Sequence, residues 1–309
     1  MRSSSRQRKE RLFRQGVKAL QAIGVDTDGE YVCPLCLHGF RYDQIEALTH
    51  EHVPPKSLKG NWLVLTCLRC NHRASGPHGV DTHARRLEHH LDLLRGTMPE
   101  YLAVDFGVND QRTGARLRHI KGKGFDIRGL PDSSPPGSSE AVQAELMGVR
   151  PGSGLIKVRL RGQEYDFEKH KVSWLRSAYL AAFAAFGYRY AARPELNCVR
   201  EKIESPENCS LTGFHAWKLD GEPGTKQIAI VSCGPLGEGI LVTFGQHLVL
   251  LPWFQEGRSF YERTSSSVYP EEGFMYEGMA LDWPSPPRME WDFISIKADN
   301  PVVSSEGSK

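Results

Sequence analysis

The chain has 309 residues, of which 39% are hydrophobic and 25% are charged, and its formal net charge at pH 7 is +2. This composition is that of an ordinary soluble protein, long enough for two domains. No apolar run reaches the roughly 18 residues of a membrane span, and the first residues lack the apolar stretch of a secretory signal. We therefore expect a cytoplasmic protein without a membrane partner.

The charge is unevenly distributed along the chain. Residues 1–130 contain 21 Lys and Arg against 14 Asp and Glu, whereas the remainder contains 18 against 23. A basic segment ahead of an acidic one indicates that the first part contacts a polyanion and that the second has another role. The alternative is an uneven solvated surface without function.

The first predicted element is a basic helix within residues 1–27. Its apolar residues recur at spacings of three and four, which is typical of one buried face, and basic residues cover the rest. The segment is predicted to be a nucleic-acid-binding arm or a fraying helix. The apolar set is Leu12, Phe13, Val17, Leu20 and Ile23, and the basic set is Arg6, Arg8, Lys9, Arg11, Arg14 and Lys18.

The next predicted unit, residues 28–96, contains two Cys-x-x-Cys pairs. Each short loop directs two thiolates at one ion, and in a cytosolic chain two such pairs predict a tetrahedral structural zinc site rather than disulfides. The alternatives are a redox pair, a disulfide pair and a chance spacing. A strand at residues 63–66 and a helix that ends near Gly96 are predicted in the same unit. The four cysteines are Cys33, Cys36, Cys67 and Cys70.

Residues 97–139 are predicted to be a basic connecting region that ends in a linker, because LPDSSPPGSSE is rich in Pro, Ser and Gly. Residues 140–300 are predicted to form an α+β domain with an antiparallel sheet. Its signals are a hairpin around Arg161 and Gly162, a buried helix in SWLRSAYLAAFAAFGY, and three strands in KQIAIVSCG, GILVTFG and HLVLLPWF. Residues 301–309 are predicted to be a flexible tail.

The segment between the two cysteine pairs carries the most specific motif of the chain. CPLC is followed by LTHEHVPPKSLKG and then by NWLVLTCLRCN. This succession resembles the HNH endonuclease family, ββα-metal nucleases in which a short hairpin and a helix hold one divalent cation. The resemblance covers about residues 30–90. It implies a small zinc-stapled HNH domain ahead of the larger α+β domain.

The resemblance implies a role for each polar residue of the motif. His52 would activate water, and a side chain that titrates near pH 6.5 suits a general base. Glu51 and Asn71 would hold a catalytic Mg²⁺ or Mn²⁺, since hard cations prefer oxygen ligands. Asn61 would orient His52; the alternatives are a turn residue for Asn61 and a helix N-cap for Asn71. Ser75 stands where some relatives have a second histidine, so the third protein ligand is not identified.

The expected function is a metal-dependent endonuclease that hydrolyses phosphodiester bonds, with double-stranded DNA as its partner. Restriction or phage defence is the expected setting by analogy with such nucleases, and RNA as the substrate stays open. The alternative is a non-catalytic zinc module that binds nucleic acid while residues 140–300 dock a partner or a second subunit. Glu51, His52 and Asn71 distinguish the two, because a binding module needs only the cysteines.

Overall fold

The computed structural model describes residues 2–97, 100–129, 135–148, 156–161, 164–217, 225–232, 237–254, 256–266 and 277–290; the predicted tail at 301–309 lies outside them. The helices are α1 (Arg2–Gln21), α2 (Leu68–Ser75), α3 (Val80–Arg95), α4 (Ser138–Gly148), α5 (Phe167–Phe186), α6 (Tyr188–Ala191), α7 (Asn197–Glu204) and α8 (Gly257–Ser266). Short 3-10 turns lie at Tyr42–Ala47, Lys56–Leu58 and Pro194–Leu196.

The strands pair antiparallel throughout the described ranges, which confirms the predicted α+β class. No helix in those ranges combines the length and the apolar character needed to cross a membrane. The strands are β1 (Tyr31–Val32), β2 (Gly39–Phe40), β3 (Leu48–Val53), β4 (Asn61–Cys67), β5 (Leu102–Val108), β6 (Gln111–Ile120), β7 (Gly124–Gly129), β8 (Ile156–Leu160), β9 (His215–Trp217), β10 (Lys226–Ser232), β11 (Glu238–Phe244), β12 (His247–Pro252) and β13 (Glu277–Leu281).

The chain divides into two compact units whose boundaries differ from those predicted. The first unit combines Met1–Thr82 with Glu168–Lys309, and the second is His83–Phe167. None of the predicted boundaries after residues 27, 96 and 139 coincides with a boundary between these two units. The physical reason is size, because the basic helix and the cysteine segment are too small to bury their apolar faces alone.

The core of the first unit lies on helix α5 and a five-stranded sheet of order β13-β10-β11-β12-β9. Nearly the whole of α5 is buried, with Leu175, Tyr179 and Phe183 at 0% exposure. This helix and the three central strands were predicted from their sequence patterns. Tyr31 and Leu65, which flank the cysteine pairs, belong to the same buried cluster.

Helix α1 is part of this core rather than a free arm or a fraying helix. Leu12 and Phe13 are 2% and 3% exposed, and the Phe13 ring lies 5.8 Å from that of Tyr31. A Cβ atom on Gly16 would overlap the Tyr31 ring, so glycine permits this close approach. The basic residues of α1 are therefore held in a fixed position on the first unit.

The second unit contains a four-stranded sheet of order β7-β6-β5-β8 with helix α4 packed on it. Three of these strands occupy most of the segment predicted to be a connecting region. β8, the first half of the hairpin predicted around Arg161 and Gly162, pairs with β5; the turn of that hairpin lies outside the described residues. Apolar residues at alternate positions of β5 point to one face of the sheet and form the core of the unit. They are Leu102, Val104, Phe106 and Val108.

Candidate metal centre and candidate nucleic-acid interface

Four cysteines meet in one cluster of the first unit. The sulfur atoms of Cys33, Cys36, Cys67 and Cys70 all lie within 4.8 Å of one another, and those of Cys36 and Cys67 are 3.7 Å apart. Backbone amides point at the cluster, since the Cys67 amide donates to the Cys33 sulfur (3.4 Å) and the Cys70 amide to the Cys67 sulfur (3.5 Å). Four convergent thiols of this kind could hold a metal such as zinc.

The local backbone explains how each pair converges. The Leu37 amide donates to the Cys33 carbonyl (2.8 Å) and the Cys33 amide to the His38 carbonyl (2.9 Å), which closes a tight turn around the first pair. The second pair spans the end of β4 and the first turn of α2. Hydrogen bonds from Cys33 and Cys70 lower the pKa of Cys67 to about 6, against the raising effects of Cys36 and of burial. A thiolate is the form that binds a metal.

The hairpin of β3 and β4 carries the residues that were predicted to be catalytic. Its register shifts between Glu51, which pairs with Val64, and His52, which pairs with Trp62. The loop between the strands is closed by a hydrogen bond from the Gly60 amide to the Pro55 carbonyl (3.2 Å). A Cβ atom on Gly60 would overlap the Pro54 carbonyl oxygen, so this loop requires glycine at position 60.

Replacing Gly60 with alanine is expected to lower the free energy of unfolding by at least about 1–3 kcal/mol, because the added methyl group forces the backbone of Pro54 to move. Thermal unfolding followed by far-ultraviolet circular dichroism, which reports on both units, measures this change. Gly129→Ala is the matched control, since a Cβ atom there meets no atom within 4 Å. Equal melting temperatures for the two variants would contradict the close approach.

His52 lies in a depression of about 550 Å³ on the first unit, and three cations share it. Arg8 and Arg11 come from α1, and Lys56 comes from the loop after β3. Asn61 lines the same depression, although no hydrogen bond joins its side chain to His52 among the contacts of the described residues. The remaining lining residues are Leu12, Gly60, Trp62, Leu63, Ser285, Pro286 and Pro287.

The electrostatics of this depression favour a neutral imidazole at His52. Partial burial lowers the pKa of His52, Glu51 raises it, and Lys56 lowers it, with a net lowering from 6.5. On the same strand, His50 stacks on Trp62 with the ring centres 4.8 Å apart. Burial, Lys9 and Arg8 lower the pKa of His50 to about 4. At neutral pH His52 therefore has a lone pair that can accept a proton.

Glu51 and Asn71 are brought together, but in a buried network apart from the depression. Glu51 is 3% exposed, and its Oε2 atom accepts hydrogen bonds from Asn71 Nδ2 (3.0 Å) and Thr66 Oγ1 (2.9 Å). The Arg176 guanidinium group contacts both carboxylate oxygens, at 2.5 and 3.2 Å. Asn71 thus contributes its amide nitrogen to Glu51.

This arrangement does not fit the predicted Mg²⁺ or Mn²⁺ site. Both oxygens of Glu51 are paired with a positive group, so the carboxylate has no free charge to offer a second cation. Glu51 and His52 are neighbours in the sequence, and for this reason they were expected to belong to one catalytic site. In the fold the two side chains have different surroundings, one a buried ion pair and the other a basic surface.

Asp81 and Arg176 are the residues of this network that sequence reasoning missed. The Arg176 Nη1 atom lies 3.3 Å from Asp81 Oδ2, and the Ser173 hydroxyl donates to Asp81 Oδ1 at 2.7 Å. A lone arginine on the apolar face of a predicted buried helix was the available signal, because a buried charge needs a partner. Asp81 gave no such signal, since an acidic residue is ordinary in a first helical turn.

The predicted site residues thus fall into three groups. The four cysteines form one cluster, His52 and Asn61 share the basic depression, and Glu51 and Asn71 share the buried network. Comparisons of the chain with protein-family models, with curated proteins and with solved structures find no match. The function is therefore inferred from the residues of this chain.

Proposed function

We propose that the protein is an HNH-type endonuclease that hydrolyses phosphodiester bonds in DNA. The observation that carries the proposal is the depression in which a neutral His52 lies among Arg8, Arg11 and Lys56. The three cations would contact phosphates of the backbone, and His52 would accept the proton of the attacking water. The cysteine cluster would hold a structural zinc that fixes the hairpin carrying His52.

Supercoiled plasmid is the substrate that tests this proposal. Conversion of supercoiled to open-circular plasmid by the full-length protein is measured with Mg²⁺, with Mn²⁺ and with EDTA, because nicking requires only one hydrolysed bond. Single-stranded RNA of matched length is run in parallel, and cleavage of RNA alone would move the substrate class from DNA to RNA. Absence of nicking in every condition would contradict the proposal.

A second candidate is a nucleic-acid-binding protein that does not hydrolyse its ligand. The observation that favours it is the buried pairing of Glu51 with Arg176, which withdraws a carboxylate from cation binding. The basic depression would still bind phosphates in this case. Plasmid that is retarded on a gel but never nicked is the outcome expected for this candidate.

Binding through the depression is expected to depend on Arg8 and Arg11. Each phosphate contact contributes about 0.9 to the slope of log affinity against log salt, so the double substitution to glutamine should reduce the slope by about 1.8. Deleting α1 is a poorer test, because Leu12 and Phe13 are buried and the deletion would unfold the unit. Fluorescence anisotropy of a labelled duplex at several salt concentrations gives the slope.

The matched control for this measurement replaces two other exposed cations of the first unit, Arg41 and Arg73, with glutamine. Both variants lose the same formal charge, but neither Arg41 nor Arg73 lines the depression. An equal change of slope in the two double variants would show that binding follows net charge and not the depression.

A further inference from the structure

The guanidinium group of Arg176 lies at the centre of a buried set of oxygen atoms in the first unit. Arg176 is 1% exposed and projects from the buried middle of α5. Its Nη2 atom lies 2.5 Å from Glu51 Oε2, and its Nη1 atom lies 3.2 Å from Glu51 Oε1 and 3.3 Å from Asp81 Oδ2. One organic cation therefore bridges two carboxylates from separate elements.

The two carboxylates are held in place by hydrogen-bond donors of neighbouring elements. Thr66 and Asn71 donate to Glu51, and Ser173 donates to Asp81. Carboxylate oxygens are the ligands that Mg²⁺ and Mn²⁺ prefer in proteins. In this network those oxygens are occupied by a guanidinium group.

The charges within the network also match a cation at its centre. Two carboxylates face one guanidinium, and although burial disfavours the charged form, Glu51 and Asp81 raise the pKa of Arg176. Burial raises the pKa of Asp81 to about 6, against the lowering effect of Arg176, so Asp81 is ionised at neutral pH. With both carboxylates ionised the network carries a formal charge of −1, and removing Arg176 would remove its only cation.

We propose that Arg176 takes the place of the divalent cation at this site, so that Glu51 and Asp81 bind no Mg²⁺ or Mn²⁺ in the folded protein. A divalent ion would have to displace a buried, charged group that already contacts both carboxylates. Losing one partner of a buried ion pair leaves an uncompensated charge, which is strongly unfavourable. The proposal does not depend on the proposed function, because it concerns binding of the ion alone.

The test replaces Arg176 with methionine, which keeps an unbranched apolar stem and carries no charge. Full-length protein that retains its cysteine-bound metal is titrated with Mn²⁺, and free Mn²⁺ is measured by electron paramagnetic resonance. Arg176→Met is expected to bind one equivalent at least about 100-fold more tightly than the wild type, because the ion supplies the positive charge that the two buried carboxylates have lost. The matched control, Arg176→Met with Glu51→Gln and Asp81→Asn, is expected to bind none.

Stability is measured alongside, since Arg176→Met leaves two buried carboxylates side by side. Mn²⁺ is expected to raise the melting temperature of Arg176→Met and to leave that of the wild type unchanged. The proposal is overturned if wild-type protein binds one equivalent of Mn²⁺ that Asp81→Asn removes, or if folded Arg176→Met binds none. If Arg176→Met does not fold even with Mn²⁺, the proposal is decided by the titration of the wild type. Equal Mn²⁺ binding by the wild type and by Asp81→Asn supports the proposal.

Discussion

Replacing Cys67 with alanine is expected to unfold the whole first unit, residues 1–82 and 168–309, and not only the segment around the cysteines. Binding of a structural zinc contributes about 10–16 kcal/mol of apparent free energy to folding. This contribution is as large as the whole net stability of a typical domain, which is roughly 5–15 kcal/mol. Tyr31 and Leu65 share one buried cluster with Leu175 of α5. Loss of the metal would therefore remove support from the common core.

Tryptophan fluorescence measures this outcome selectively. All six tryptophans lie outside residues 83–167, so their emission reports on the first unit alone. Cys209→Ala is the matched control, because it removes a thiol that is not part of the cluster. Native mass spectrometry should find one zinc per chain in the wild type and in Cys209→Ala. Soluble, folded wild-type protein without zinc would contradict the prediction.

Replacing His52 with alanine is expected to reduce the rate of plasmid nicking by about 10²- to 10⁴-fold, which is the usual contribution of a general base. DNA affinity and zinc content should stay near their wild-type values, because the base acts in the transition state and the cysteines maintain the fold. Partial burial lowers the pKa of His52 below 6.5, so the neutral form extends to lower pH. The wild-type nicking rate should therefore rise with pH as His52 loses its proton, with the midpoint of the rise below pH 6.5. The rate should be level near pH 7.

His72→Ala is the matched control for His52. His72 is an exposed histidine on α2, and it does not line the depression. Its replacement should leave the nicking rate, the pH profile and the melting temperature unchanged. If His52→Ala nicks plasmid at the wild-type rate, the hydrolytic proposal is wrong, and the non-hydrolysing candidate takes its place.

The local features of the first unit were predictable because their signals are short-range. Each Cys-x-x-Cys spacing is a property of one turn, and the apolar face of α5 and the alternation in β10, β11 and β12 follow from periods of 3.6 and 2. These elements did not require knowledge of any distant contact.

The long-range arrangement was not predictable from those signals. Arg176 meets Glu51 and Asp81 only because α5 packs against the hairpin, and a single sequence does not encode that pairing as a pattern. The strands of the second unit were missed for another reason. The basic residues of β6 and β7, followed by the Pro-, Ser- and Gly-rich LPDSSPPGSSE, favoured a connecting region, although alternate apolar residues at Val104, Phe106 and Val108 indicated a strand.

The first unit is assembled from two stretches separated by the whole of residues 83–167, and this order has a consequence for synthesis on the ribosome. The apolar faces of α1 and of the β3–β4 hairpin emerge long before α5, so their partners arrive late. Contacts of high sequence separation slow folding, and apolar surface exposed in the interval promotes aggregation. The cysteine cluster requires only residues 33–70, so we expect metal uptake to order this nascent segment before the rest of its core has been translated.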